Sequence, residues 1–199
     1  MTILQAVPSP AAGPRLVLYD ESAPGRRRLE AFIRAVYAKC YRARLRHFAP
    51  TLAAWEDQGE ILAAAGYRSA AEPLFLERYL DVPIEVAVAP SRPVPRSQVV
   101  EVGNFASARA GEGRRLLLAL GAHLATQDVQ WVAGTVTAEL RQLVVRLGLG
   151  VIALAPARGE RLGAELTRWG SYFDHEPIVV AGHLPAALNT LRQRAGRSR

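Results

Sequence analysis

The sequence contains little of what would indicate an extracellular or membrane protein. Cys40 is the only cysteine among 199 residues, so the chain cannot form an internal disulfide bond. The longest apolar run covers 116–125, about half of the roughly 20 residues that span a bilayer. The first residues also lack the basic start and apolar stretch of a secretory signal. We therefore expect a cytoplasmic protein without a transmembrane insertion.

Lysine is scarce as well. Lys39 is the only lysine, so arginine supplies nearly all of the 25 basic residues and the net charge of +7. Guanidinium groups bind carboxylates and phosphates through paired N–H donors, which predicts an acidic partner, although genome base composition explains the same bias equally well. No nucleic-acid-binding motif is present, so we expect no nucleic-acid partner. The arginines expected around the docking site are Arg26, Arg27, Arg28, Arg42, Arg44, Arg46, Arg114 and Arg115.

Signatures of common enzyme classes are also absent. The sequence has no Gly-x-Ser-x-Gly elbow and no Walker loop. Its four histidines lie far apart, and no cysteine or histidine spacing matches a zinc site, so we expect no metal.

Half of the residues are hydrophobic, which at this length predicts one globular domain with a substantial core. We expect a loose segment over 1–14, the folded domain over 15–195 and a basic tail over 196–199. Periodicity predicts strands at 16–19, 51–56, 61–69, 98–106, 129–135, 150–154 and 177–181. It predicts helices from Ser22 to about Tyr41, at 72–89 with a break at Pro83, at 111–126 and 138–147, and a last helix ending near Arg194.

This element order predicts a single α/β domain, a mixed sheet flanked by helices. The 51–69 hairpin makes the first half antiparallel, and the strand–helix alternation of the second half implies parallel neighbours. Cys40 falls on the apolar face of the first helix, where we expect a small buried thiol.

The strand 98–106 carries a carboxylate, Glu101, among valines, and such a group is costly to bury without partners. A bulge at Gly103 would bring Glu101 and Asn104 to the same face. Arg68 ends the preceding strand and would then lie beside Glu101, either paired with it or pointing at a substrate. An edge carboxylate with a purely structural arginine partner is the alternative.

A loop rich in glycine and arginine follows that strand and opens a helix. Backbone N–H groups at a helix N-terminus can bind a phosphate, although an ordinary turn would also explain two glycines. The loop and the element order resemble the Gcn5-related N-acetyltransferase (GNAT) fold, whose middle strands separate to admit the pantetheine arm of an acyl donor. The resemblance implies donor contacts at Phe105, Ala106, Ser107, Arg109, Gly111, Gly113 and Arg114.

Two families of this fold resemble longer parts of the chain. Gly66-Tyr67-Arg68 and Glu101-Val102-Gly103-Asn104-Phe105 are similar to motifs of acyl-homoserine lactone synthases, in which an arginine takes the place of Asn104. The thermostable hemolysin family resembles nearly the whole chain, through 73–80, 101–104, Trp131 with Thr135 and Thr137, and 169–172.

The resemblance implies an N-acyltransferase that moves an acyl group from a phosphopantetheine thioester to a small amine. The donor is an acidic acyl carrier protein or coenzyme A, used as co-substrate without a tightly bound cofactor. We expect catalysis at Glu101, Asn104 and Arg68, beside a slot left by the diverging strand 129–135. The acceptor or acyl pocket is expected at His47, Glu77, Trp131, Thr135, Thr137 and Tyr172, with Val132 also lining the slot. A membrane-active hemolysin without enzymatic activity is the alternative.

Overall fold

Seven strands form one mixed sheet in the computed structural model, which describes residues 13–92 and 94–197. The order across the sheet is β1-β2-β3-β4-β5-β7-β6. Only β4 and β5 pair in parallel, and every other pair is antiparallel. The strands are β1 (Arg15–Tyr19), β2 (Thr51–Asp57), β3 (Glu60–Ser69), β4 (Val99–Ser107), β5 (Trp131–Val136), β6 (Ile152–Pro156) and β7 (Ile178–His183).

Helices cover both faces of this sheet, as predicted. They are α1 (Arg26–Tyr41), α2 (Ile84–Val88), α3 (Glu112–Leu124), α4 (Ala138–Leu147) and α5 (Leu184–Arg197). On one face, Leu29 and Ile33 of α1 pack in a cluster with Ala54. On the other face, Leu116 of α3 packs in a cluster with Ala53. Successive strand residues point to opposite faces, so small alanines at both positions let a helix approach each side closely.

None of the helices in the described ranges is long and apolar enough to cross a membrane. The predicted N-terminal segment lies almost wholly outside the described residues, and so does the end of the basic tail.

Several sequence predictions differ from the structure. The parallel alternation of the second half is interrupted, because β7 inserts between β5 and β6 and pairs antiparallel with both. The first helix begins after Gly25, whose φ of 90° ends the preceding turn, and not at Ser22. Cys40 is exposed, because the buried stripe of α1 runs through Leu29, Ile33 and Tyr37.

The predicted helix at 72–89 is largely irregular. It contains a 3-10 turn at Leu76–Tyr79 and the short helix α2. Two carboxylates bind backbone N–H groups of the segment: Glu77, inside it, accepts from Leu74 and Ile84, and Glu101 of β4 accepts from Phe75 and Leu76. Local periodicity could not reveal these side chains as partners, since two of the four N–H groups bind a residue that is distant in sequence.

Arg96 holds this irregular segment together. Its guanidinium donates to both oxygens of Glu77 and to Glu85, and also to the carbonyls of Ala70 and Glu72. Burial raises the pKa of Glu77, but hydrogen bonds from Arg96 and two backbone N–H groups outweigh burial and lower that pKa to about 2. A carboxylate with a lowered pKa stabilises the fold above its ordinary pKa of 4.5 and loses this effect as the pH falls towards 2.

Replacing Arg96 therefore tests the stability of this segment. We expect Arg96→Leu to lower the free energy of unfolding by about 1–3 kcal/mol, because the half-buried Glu77 loses its charged partner. Urea denaturation at neutral pH and between pH 4.5 and 2 measures the effect, and the variant should lose less further stability on acidification. Arg161→Leu removes an exposed pair with Asp81 and is the control. An equal loss in the two variants would contradict a special role for Arg96.

Candidate active site

β4 and β5 pair only where they begin. The parallel register joins Val99 to Trp131 and Glu101 to Ala133, and no pairing continues beyond it, although β4 runs to Ser107. The strands separate there and leave a cavity of about 770 Å³, whose wall includes residues 102–111 and 132–137. The predicted divergence of these strands is confirmed.

A β-bulge shapes the β4 side of the cavity. Gly66 pairs with Gly103 while Ala64 pairs with Ala106, so one residue of β3 faces two residues of β4. A bulge in β4 was predicted, but its predicted position at Gly103 is wrong: Gly103 pairs with Gly66, and the extra residue lies at 104–105, where Asn104 has a positive φ of 50°. Asparagine is among the few residues that tolerate this conformation.

Asn104 also fixes the chain that enters β2. Its side-chain Oδ1 accepts a hydrogen bond of 3.0 Å from the backbone N–H of Ala49. Asn104 thus lines the cavity at the bulge, and its side-chain oxygen is already hydrogen-bonded to the backbone.

Glu101 is the buried carboxylate of the site. It is 8% exposed and lines the cavity. Its Oε2 accepts a hydrogen bond of 2.7 Å from the N–H of Phe75, and its Oε1 accepts one of 3.0 Å from Leu76. Burial raises the pKa of Glu101, opposed by the two backbone N–H groups and by the charge of Arg68. A raised pKa makes the ionised carboxylate a stronger base.

Arg68 lies opposite Glu101 in the β3–β4 register, as predicted. Within the described residues the two side chains form no ion pair, and Arg68 reaches only the carbonyl of Pro73 at 3.5 Å. Arg68 is half-buried and lines the cavity. All three residues predicted for catalysis thus line the cavity. Within the described residues, the Arg68 guanidinium makes no hydrogen bond to the Glu101 carboxylate.

The predicted donor residues surround the open end of the gap. All seven of them, from Phe105 to Arg114, line the cavity. Gly111 caps α3 with a φ of 87°. Gly113 lies against Phe105, because a Cβ there would come within 2.7 Å of the ring. Arg109 is less available for a donor, since it pairs with Glu60 at 2.6 Å.

The predicted basic docking surface is divided by the structure. Arg26 is a buried structural residue that donates to Glu30 and to the carbonyls of Tyr19, Ala49 and Pro50. Arg28 pairs with Glu56, and Arg115 pairs with Glu112. Three of the predicted arginines remain at the cavity, all exposed and without an ion pair inside the described ranges: Arg44, Arg46 and Arg114.

The residues predicted for the acceptor or acyl pocket separate into two groups. Four of them line the cavity: His47, Thr135, Thr137 and Tyr172. Trp131 does not, and its ring instead packs on His183 with ring centroids 5.2 Å apart. Glu77 does not either, since its carboxylate is bonded to Arg96 and to backbone N–H groups.

Aromatic rings that were not predicted as site residues also line the cavity. They are Tyr37, Tyr41, Phe75, Tyr79 and Trp169. Tyr172 stacks on Tyr37 with centroids 6.3 Å apart, and Trp169 lies 5.1 Å from Tyr172. Burial raises the pKa of Tyr37 and of Tyr172, so both phenols stay neutral at physiological pH. The spacing of Tyr37 and Tyr41 fits a buried helix stripe equally well, so no sequence pattern distinguishes these cavity residues from core residues.

Thr135 lines the cavity and carries an unpartnered polar atom. Its Oγ1 is buried and has no hydrogen-bond partner in the described part of the chain. The backbone carbonyl of Thr135 accepts a bond of 3.5 Å from the hydroxyl of Tyr172. An unpartnered buried hydroxyl costs stability unless a ligand satisfies it, so Thr135 is a candidate substrate contact.

Solved structures with a similar fold are enzymes that use acyl groups. The acyl-homoserine lactone synthase LasI is 14% identical, with a TM-score of 0.58 over 86% of this chain and 91% of that one. The coenzyme A-dependent synthase BjaI, solved with SAM and isopentyl-CoA, is 14% identical at a TM-score of 0.60, over 92% and 90%. FeeM, an N-acyl amino acid synthase from uncultured soil microbes, is 15% identical at 0.57, over 88% and 94%. The GNAT-like fold predicted from the sequence is confirmed.

The comparison with curated proteins gives no match. A family model does match, and it covers residues 19–188, from the end of β1 into α5. The matched range contains the gap, the bulge and the cavity described above. The chain belongs to the thermostable hemolysin family.

Proposed function

We propose that the protein is an N-acyltransferase that moves an acyl group from a phosphopantetheine thioester to an amine. The separation of β4 from β5 carries this proposal, because it opens a largely apolar cavity between two strands that no longer pair with each other and whose facing edges can bind an extended arm. BjaI was solved with an acyl-CoA, and the shared fold supports a donor of that class here. A carrier protein or coenzyme A would both present the same arm.

The reaction needs a nucleophilic amine and a polarised thioester. The uncharged amine nitrogen attacks the carbonyl carbon, the C–S bond breaks, and an amide forms. The proton released by the nitrogen ends on the departing sulfur, so the products are the amide and the free thiol. Holding both reactants in one cavity makes the attack effectively unimolecular.

Glu101 is suited to carry that proton. Hydrogen bonds from Phe75 and Leu76 fix the orientation of the carboxylate and leave one lone pair of each oxygen unused. Because burial raises its pKa, Glu101 can accept a proton from the attacking amine, directly or through one water molecule, and return it to the sulfur.

Arg68 and the Thr135 hydroxyl complete the proposed site. The Arg68 guanidinium lies on the strand next to Glu101 and can bind an anionic or carbonyl group of a substrate. The hydroxyl of Thr135 can donate to the carbonyl oxygen of the thioester as negative charge develops there. His47, Tyr172 and the neighbouring aromatic rings then form the wall against which a small amine acceptor binds.

The first test is acyl transfer itself, with Glu101→Gln as the decisive variant. Purified protein, given acyl-CoA or acyl carrier protein thioesters with an amine panel, should form an amide detectable by mass spectrometry. We expect Glu101→Gln to lower kcat/KM by about 10²- to 10⁴-fold, the range usual for a general acid or base. Glu56→Gln changes a carboxylate that is equally buried, at 8% exposed, but outside the cavity, and it is the control.

The pH dependence adds a second readout to this test. Only ionised Glu101 can accept a proton, so kcat/KM should rise with pH along a limb centred above the ordinary glutamate pKa of 4.5. The limb should persist with two acceptors of different amine pKa and should vanish in Glu101→Gln. Near-normal turnover in folded Glu101→Gln protein would show that the carboxylate is only structural.

Thr135→Val should separate activity from stability. Valine keeps the volume of threonine and removes the unpartnered hydroxyl, so the free energy of unfolding should stay equal or rise by up to about 1 kcal/mol. We expect kcat/KM to fall by about tenfold, the loss of one neutral hydrogen bond to the reacting group. Thermal melting and steady-state kinetics measure the two effects. Thr190→Val, which removes an exposed hydroxyl on α5, is the control. A stability loss with unchanged turnover would count against this contact.

Arg114 tests the docking of a donor. Arg114 is exposed at the cavity, whereas the adjacent Arg115 pairs with Glu112 and does not line the cavity. We expect Arg114→Glu to raise KM for an acidic acyl carrier protein by about tenfold at low salt, with kcat nearly unchanged, because rim charges act on encounter. Arg115→Glu should raise KM much less. Equal effects of the two variants, or none, would place docking elsewhere.

A further inference from the structure

α3 contains two glycines that the folded chain requires to different degrees. A Cβ on Gly113 would lie 2.7 Å from the Phe105 ring, so packing demands glycine there. A Cβ on Gly121 would meet only Leu184 Cδ1, at 3.9 Å, an ordinary contact distance. Gly121 also has no positive φ. Glycine inside a helix is less stable than alanine, so packing within the protein gives no reason for glycine at this position.

Gly121 belongs to an apolar part of the cavity, here named the apolar lobe. The lobe is formed by Leu117, Leu118, Gly121, Val132, Leu184 and Leu188. Leu117, Leu118 and Gly121 follow the three- and four-residue spacing of one helix stripe and are only half-buried. Such a stripe is normally covered by protein. Here it faces open volume that no described side chain fills.

The position of the lobe separates it from the proposed reaction site. Val132 pairs with Val100 in the joined beginning of β4 and β5, whereas Asn104 and Thr135 lie further along, where the strands have separated. The lobe therefore extends from the gap towards the closed end of the two strands, on the side of α3 and α5. None of its six residues has a polar side chain, so its occupant is apolar along its length.

We propose that the apolar lobe holds the far end of a medium- or long-chain acyl group and that Gly121 determines the longest chain accepted. This inference rests on the proposed function, since the chain belongs to the thioester donor. Each methylene group buried in the lobe contributes about fourfold to binding. Glycine at 121 leaves space for the last carbons of the chain, which explains a residue that the helix itself disfavours.

The test fills the lobe from position 121 and compares donors that differ only in chain length. Acetyl, octanoyl and palmitoyl thioesters of one carrier are assayed with wild type, Gly121→Leu and Gly121→Ala. We expect Gly121→Leu to lower kcat/KM for the palmitoyl donor by about 30-fold or more, and for the acetyl donor by less than about threefold. Alanine favours the helix and adds one methyl group, so Gly121→Ala should lower the ratio of kcat/KM for the palmitoyl donor to kcat/KM for the acetyl donor by about fourfold.

The matched control is Ala122→Leu. Ala122 is the next residue of α3 and is exposed and outside the cavity. Ala122→Leu therefore adds apolar volume to the same helix without filling the lobe. Its chain-length preference should equal that of wild type. An equal loss for all donors in Gly121→Leu, or the same shift in Ala122→Leu, would overturn the role of Gly121.

Binding without turnover distinguishes this inference from the proposed function. The fluorescent long-chain fatty acid cis-parinaric acid should bind to wild type and Ala122→Leu, and about tenfold more weakly to Gly121→Leu. Binding of this kind without any acyl transfer would refute the acyltransferase and keep the apolar lobe as a chain-binding site. Absence of binding to wild type, or equal binding to all variants, would refute the lobe.

Discussion

The buried carboxylate of Glu101 joins two parts of the cavity wall, β4 and the segment around Phe75. Glu101 stands on β4, and its oxygens bind the backbone N–H groups of Phe75 and Leu76 in a segment with little regular structure. Burial makes an unpartnered charge very costly, so the carboxylate and the segment depend on each other. The rings of Phe75 and Tyr79 take their places in the cavity wall through this contact. The proposed base and the architecture of its site thus rest on the same two hydrogen bonds.

Local features of both strands determine where the gap in the sheet begins. On β5, a Cβ at Gly134 would lie 2.6 Å from the carbonyl oxygen of Val102, so glycine lets the strands stay close up to that level. On β4, the bulge at Asn104 then changes the strand direction. An unpaired strand edge exposed to water is a site of aggregation. Here the edge faces an internal cavity, where its backbone groups can serve a ligand.

Apolar periodicity and short turns were sufficient to predict most strands and helices, because these signals are local. The divergence of β4 and β5 was predicted from the resemblance to the GNAT fold, and the insertion of β7 between β5 and β6 was not predicted. Local signals were insufficient where long-range polar contacts decide the structure. The segment 72–89 shows helical periodicity, but Glu77 and Glu101 bind its N–H groups. Arg26 was predicted to belong to a basic surface, but it is buried and donates hydrogen bonds to three backbone carbonyls. Trp131 was assigned to the pocket by the family resemblance, yet its ring packs on His183 outside the cavity.

The connection between α1 and β2 affects how the molecule folds. Residues 42–49 have no regular structure, and distant parts of the chain hold them in place. Arg44 donates to the carbonyl of Arg168, Ala49 donates to Asn104, and Arg26 binds the carbonyl of Ala49. Contacts between residues far apart in sequence form slowly, because the entropy of closing a long loop is lost before the contacts stabilise the chain. The wall that carries His47 therefore acquires its shape only when β4 and the segment around Arg168 are already in place.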